Sequence, residues 1–145
     1  MASERPVIAG VYYNRLRHGM PLQADPTVQY VLGKHVDRVM YKDLTVESPY
    51  NTYRNTGLPP GPIASPGGPS LLAALQPAAV PYLYFVATPD GHHEFRTTLE
   101  GHVNAIRAIK KAAKDAATNT DRGSATSTPV THSVTTREST VHGRR

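Results

Sequence analysis

In the stretch LQADPTVQY, Gln23, Asp25 and Thr27 stand at alternating positions where an extended segment runs into a helix. Side chains two apart on an extended chain share a face, so an amide, a carboxylate and a hydroxyl can converge there on one ligand. The same residues also fit a plainer role, with Asp25 as a helix N-cap and Gln23 as a surface amide. The loop YNTYRNTGLPP offers a second set. Tyr50 and Tyr53 bring flat faces and hydroxyls, while Asn51, Thr52 and Asn55 bring donors and acceptors, a mixture suited to sugars. Asx turns between prolines need no ligand, and spacing alone leaves both readings open.

Other chemistries find less support. The chain has no Cys and seven His, which excludes thiol catalysis, disulfides and cysteine-metal sites. His92 and His93 are the adjacent pair, and consecutive strand residues point to opposite faces, so they are poor joint ligands for one metal. No G-x-S-x-G elbow, Walker loop or dinucleotide fingerprint occurs, and Gly67 and Gly68 follow no strand pattern. Neither a metal nor a cofactor is expected.

The elements that must position these groups are short. Ser3 is placed to cap a helix carrying Glu4 and Pro6 in its first turn and Val7, Ile8, Val11, Tyr12 and Leu16 on its buried stripe, with Gly19 as the stop. Asp25-Pro26 opens a second helix, with Asp25 as its N-cap and Gly33 past its end. Residues 48–69 hold six Pro and four Gly in 22 residues, a density that rules out a regular element. Tyr50, Tyr53, Leu58 and Ile63 anchor this stretch as a long ordered loop. Ser70 caps LLAALQ, which Pro77 ends. YLYFVA, TPDG and HHEFRT form a hairpin signal. A last helix, from about Leu99 through Ala116, sets Val103, Ile106, Ile109 and Ala113 at helical spacing and packs on the sheet.

These elements define an α+β fold: short helices, a small antiparallel sheet or hairpin and a long Pro/Gly-rich cleft loop. One domain is expected over residues 1–117, followed by a Ser/Thr-rich tail over 118–145 that holds too little apolar surface to order itself. The 145 residues carry a net charge of +5 with a pI near 9.6. Before residue 118 no run exceeds two adjacent bases, which suits a mildly basic surface better than a nucleic-acid stripe. No apolar run approaches the roughly 18 residues that cross a bilayer, and MASERPVIAG has no basic segment followed by an apolar stretch. As written, the chain is expected to be soluble and without an export signal.

Three blocks carry a resemblance: SERPVIAGVYYNRLRHGMPLQADPTVQY, SPYNTYRNTGLPPGPIASPG and SLLAALQPAAVPYLYFVATPDGHHEFRTTLEGH. Together, from about Ser3 to Ile109, they resemble the catalytic domain of the endolytic murein transglycosylases, the YceG-like family. The resemblance implies cleavage of peptidoglycan strands between N-acetylmuramic acid and N-acetylglucosamine without water, leaving 1,6-anhydro ends. One glutamic acid would act first as acid and then as base, which demands a raised pKa in a partly dry cleft. In the family that glutamate lies in a helical A-S-I-(I/V)-E-K-E block upstream of the segment matching SERP, and Glu4 corresponds to the Glu of the S-E-R element. The resemblance therefore assigns no catalytic residue here and implies a domain incomplete at its N-terminus. The alternative is a noncatalytic module that binds cell-wall glycan.

Carried over position by position, the implied substrate-binding residues are Asn14, Gln23, Asp25, Thr27, Tyr50, Asn51, Tyr53 and Ser65. Asn14 serves equally as a helix-to-loop hydrogen bond. Asp25 as an N-cap would hold an ionised carboxylate, unsuited to donating a proton. The implied partners are peptidoglycan strands and, by extension, cell-wall synthesis proteins. The resemblance also implies a membrane anchor with this domain outside the cytoplasm and a small LysM-like subdomain, neither of which is expected within these 145 residues.

Overall fold

A computed structural model describes residues 2–34, 36 and 39–123, with side chains described as far as residue 118. After a 3-10 turn at Ala2–Glu4 come α1 (Arg5–Arg17), α2 (Asp25–Leu32), a second 3-10 turn at Asp43–Thr45, α3 (Gly68–Leu75), β1 (Tyr84–Ala87), β2 (His93–Arg96) and α4 (Leu99–Gly123). The two strands form one antiparallel sheet with Phe85 opposite Phe95 and Tyr84 opposite Arg96. This is the expected α+β class. None of the described helices is long and apolar enough to cross a membrane.

The hairpin forms where the sequence places it. Gly91 takes φ +84°, and the turn closes through the Thr88 N–H donating to the His92 carbonyl at 2.8 Å and the Gly91 N–H to the Thr88 carbonyl at 3.0 Å. α4 lies against both strands. Ala105 is its buried residue, Val103, Ile106 and Ile109 are half-buried, and Ala113 is exposed. The helical backbone continues to Gly123, past the boundary placed at Thr118. Residues 124–145, the bulk of the expected tail, lie outside the described residues.

The glycine stops after α1 and α2 fall where the sequence places them, and the N-caps do not. Gly33 ends α2 in the left-handed conformation at φ +65°, and Gly19, at φ +62°, follows α1. Asp25 is not the N-cap of α2: Ala24 is, without a side-chain cap of its own. The capping groups come from elsewhere. Thr52 Oγ1 accepts the Ala24 N–H at 3.0 Å, and Thr27 Oγ1 donates to the Ala24 carbonyl at 2.7 Å while meeting Thr52 Oγ1 at 2.9 Å. Ser3 and Ser70 do not cap either, since the N-caps of α1 and α3 are Glu4 and Gly67.

The core is small, with Val11 and Val28 fully enclosed beside the polar Asn51 and Thr52. Much of the order comes from a seam between α1 and the extended chain at 78–83. Pro6, Gly10 and Asn14 recur every fourth residue and so share one face of α1. The Ala78 N–H donates to the Pro6 carbonyl at 2.9 Å. At Gly10 the two backbones approach so closely that a Cβ would sit 2.5 Å from the Ala78 carbonyl oxygen and 2.8 Å from Val80 Cγ2. One turn on, Asn14 Nδ2 donates to the carbonyls of Val80 at 2.6 Å and Tyr82 at 3.0 Å.

Candidate functional site

The long loop is built around Asn51. Its buried amide donates to the carbonyls of Leu44 at 3.0 Å and Val46 at 2.8 Å, and its Oδ1 accepts the Tyr53 N–H at 3.0 Å. With the loop pinned to α2 through Thr52, the Tyr53 hydroxyl reaches Asp25 and donates to Oδ1 at 2.5 Å. Burial first, and then the bond to Asp25, push the Tyr53 phenol well above its ordinary range. Tyr53 is therefore a firm donor throughout the physiological range.

Gln23 sits beside this pair in a conformation that side chains seldom adopt, with φ +50°. It is held there from both ends: its N–H donates to the Thr52 carbonyl at 3.1 Å, and its Oε1 accepts from Arg15 Nη1 at 3.2 Å. Such strain persists only where surrounding bonds fix it, at a cost of about 1–3 kcal/mol, and it clusters at functional sites.

Arg15 is 7% exposed, although its residue type is rarely buried. It lies one turn beyond Val11 on the buried stripe of α1. Its Nε donates to the Leu83 carbonyl at 2.7 Å and its Nη1 to the Pro21 carbonyl at 2.9 Å, and the guanidinium lies 5.0 Å from the centre of the Tyr84 ring. His102, from α4, stacks on the same tyrosine with ring centres 5.3 Å apart. Burial, then Arg15 and Arg96, hold the His102 imidazole below its usual range.

These groups border one cleft of about 520 Å³, lined by Gln23, Asp25 and Tyr53 together with Arg15, Tyr84 and His102. The Asp25–Tyr53 pair also borders a second hollow of about 390 Å³ with Met40, Tyr41 and Leu44. A concave, partly aromatic surface with a few converging polar groups has the form of a ligand-binding site.

Of the residues singled out from the sequence, Gln23, Asp25 and Tyr53 meet at this cleft. The others are spread more widely. Asn14 is committed to the α1 seam, Thr27 and Asn51 to the α2 start and the loop, and the Tyr50 ring packs on Tyr30 with centres 4.9 Å apart. Ser65 is exposed. Sequence reasoning passed over Arg15, Tyr84 and His102. The available signal was a cation at the fourth position after Val11, on a stripe that should be apolar.

Glu4 lies apart from the cleft. Its carboxylate accepts the His93 N–H at 3.1 Å and faces the Nδ1 atoms of His93 at 2.9 Å and His92 at 3.2 Å. The bonds from His93, against a smaller opposing effect of burial, bring its pKa down to about 2. No group of three or more His, Asp or Glu that could hold a metal occurs among the described residues.

Residues 1–108 match the family described as YceG-like, and the chain belongs to that family. Over 103 residues it is 57% identical to a Bacillus subtilis (strain 168) protein named endolytic murein transglycosylase, covering 71% of this chain and 29% of that one. A Streptococcus pneumoniae serotype 2 (strain D39) protein of the same name is 36% identical over 105 residues, covering 68% of this chain and 19% of that one. The crystal structure of a yceG-like protein from Listeria monocytogenes superposes with a TM-score of 0.66 at 56% identity, over 68% of this chain and 32% of that one. The chain thus spans less than a third of the Bacillus relative's length.

Proposed function

We propose that this chain is the strand-gripping part of a lytic transglycosylase domain, with the glycan backbone of peptidoglycan lying in the cleft of Gln23, Asp25 and Tyr53. The observation that carries the reading is the convergence of a strained amide and a tyrosine–carboxylate pair on one cavity, in a chain whose relatives are named endolytic murein transglycosylases. Gln23 and Asp25 supply hydrogen-bonding groups for hydroxyls, and the Tyr53 and Tyr84 rings supply faces for the apolar sides of the sugars. Non-hydrolytic cleavage also needs a carboxyl group able to donate a proton near neutral pH. Glu4 does not fit that role, because its neighbours keep it ionised and it stands outside the cleft. Glu4 is therefore not the acid/base in this reading, and the cleft residues Gln23, Asp25 and Tyr53 hold and orient the strand.

The test is binding and turnover measured together on purified peptidoglycan strands, with mass spectrometry for 1,6-anhydro ends. Binding without release is expected, weakened by Gln23→Ala and by Tyr53→Phe. Release of anhydro-muropeptides that Glu4→Gln abolishes would overturn the assignment of Glu4, and absence of binding would overturn the grip itself.

A further inference from the structure

An exposed glutamine ordinarily presents either end of its amide to a ligand, the oxygen as acceptor or the NH2 as donor. Gln23 is exposed at the cleft, yet its amide has one orientation open to it. Its partner there is Arg15, and a guanidinium carries donors and no acceptor. The 3.2 Å contact with Arg15 Nη1 therefore requires the Gln23 oxygen and excludes its NH2. Among the described residues Gln23 Nε2 bonds no protein group, so its hydrogens are left for a ligand. Arg15 has little freedom of its own. Its Nη1 also donates to the carbonyls of Pro21 at 2.9 Å and Leu22 at 3.3 Å, and its Nε is spent on the Leu83 carbonyl. One nitrogen thus ties down the two residues before Gln23 and the Gln23 side chain together. A turn that needed only a positive φ would be served by glycine, as Gly19 and Gly33 serve theirs. A glutamine held at such a position by a buried cation is there for its side chain. Two residues on, the Asp25 carboxylate accepts from Tyr53, so the cleft sets a fixed donor beside a fixed acceptor.

We infer that Arg15 is a positioning residue for Gln23: it draws in the amide oxygen and leaves the NH2 to the ligand, so that Gln23 meets the glycan only as a donor to an acceptor oxygen. The inference rests on the glycan reading above and adds the polarity of one contact and the residue that sets it. Its consequence is that the isosteric carboxylate cannot stand in for the amide. Gln23→Glu keeps the shape and gives Arg15 a counter-charge, but an ionised carboxylate only accepts, and the donor to the ligand is gone.

The experiment compares the unaltered chain with Gln23→Glu by calorimetry on purified peptidoglycan strands, at about 0.5 M salt so that charges more than about 5 Å apart are screened. The expected result is a retained fold with affinity about fivefold lower, the size of one lost hydrogen bond. A Gln23→Glu protein that binds as well as the parent overturns the inference and leaves the glycan reading standing; no binding by the unaltered chain overturns both. Arg15→Lys then separates positioning from a purely structural role. It should lower affinity about fivefold in the parent and about twofold or less in Gln23→Ala, where the amide it acts through is gone. Equal losses in the two backgrounds, or no loss in the parent, overturn the inference. Because Arg15 also ties three backbone carbonyls, each variant is checked by circular dichroism, and if one fails to fold the unaltered chain decides by nuclear magnetic resonance. On addition of strands, the side-chain NH2 signals of Gln23 should shift while those of Gln29, bonded to the Val36 carbonyl, and of the exposed Gln76 stay in place. Gln23 signals that do not move overturn the inference.

Discussion

Gly10→Ala adds one methyl group to the tightest point of the molecule. The new carbon would lie 2.5 Å from the Ala78 carbonyl oxygen and 2.8 Å from Val80 Cγ2, where carbon contacts settle near 3.5–4.0 Å. The carbonyl is backbone and cannot rotate away, so α1 and the 78–83 segment must part by about 1 Å. Parting by that much stretches the 2.6 Å bond from Asn14 to the Val80 carbonyl to about 3.6 Å, beyond hydrogen-bonding range. Overpacking costs about 1–3 kcal/mol and each lost bond about 0.5–1.5 kcal/mol, against a helix-propensity gain of about 1 kcal/mol for Ala over Gly. The net expectation is a loss of about 2 kcal/mol, which lowers the melting temperature by roughly 8 °C in a domain of this size. Because Arg15 Nε bonds Leu83 on the same segment at 2.7 Å, glycan affinity should fall as well. Urea and thermal unfolding of the two proteins decide the matter. A Gly10→Ala protein as stable as the parent would refute the seam as the organising contact.

Three further outcomes follow from the charges and the strain. Glu4 sits at about 2 in the fold against 4.5 unperturbed, so the unfolded chain binds the extra proton; its stabilisation is full above about pH 4.5 and is lost as the pH falls to about 2, and urea midpoints across that window should flatten in Glu4→Gln. Tyr53 is raised above the ordinary value of 10, chiefly by burial. The unfolded chain therefore releases that proton first, stability should drop as the pH climbs past 10, and phenolate absorbance should contain a late component that Tyr53→Phe removes. Gln23→Gly relieves the φ of +50° but deletes the amide; stability within about 1 kcal/mol of the parent with clearly weaker glycan binding is expected, and unchanged binding would remove Gln23 from the site.

What the sequence could reveal depended on how far apart the cooperating groups lie. The hairpin was readable because Pro-Asp-Gly and the flanking apolar residues act within a few positions, and Gly19 and Gly33 end their helices by their own backbone freedom. The N-caps failed for the opposite reason. The group that serves the first turn of α2 is Thr52, 28 residues from Ala24, and no local pattern announces a cap supplied across a loop. That displacement reshapes the site: freed from capping, the Asp25 carboxylate turns to Tyr53, also 28 residues distant. The pairing explains how two residues picked for separate local reasons become one feature. Arg15 and His102 illustrate the remaining gap. Each touches Tyr84, and that meeting exists only once α4 packs on β1 and the 78–83 segment lies along α1. Where a site is assembled on a strand between two helices, its chemistry is a property of packing, and a charge standing on an apolar stripe is the trace of it that a sequence retains.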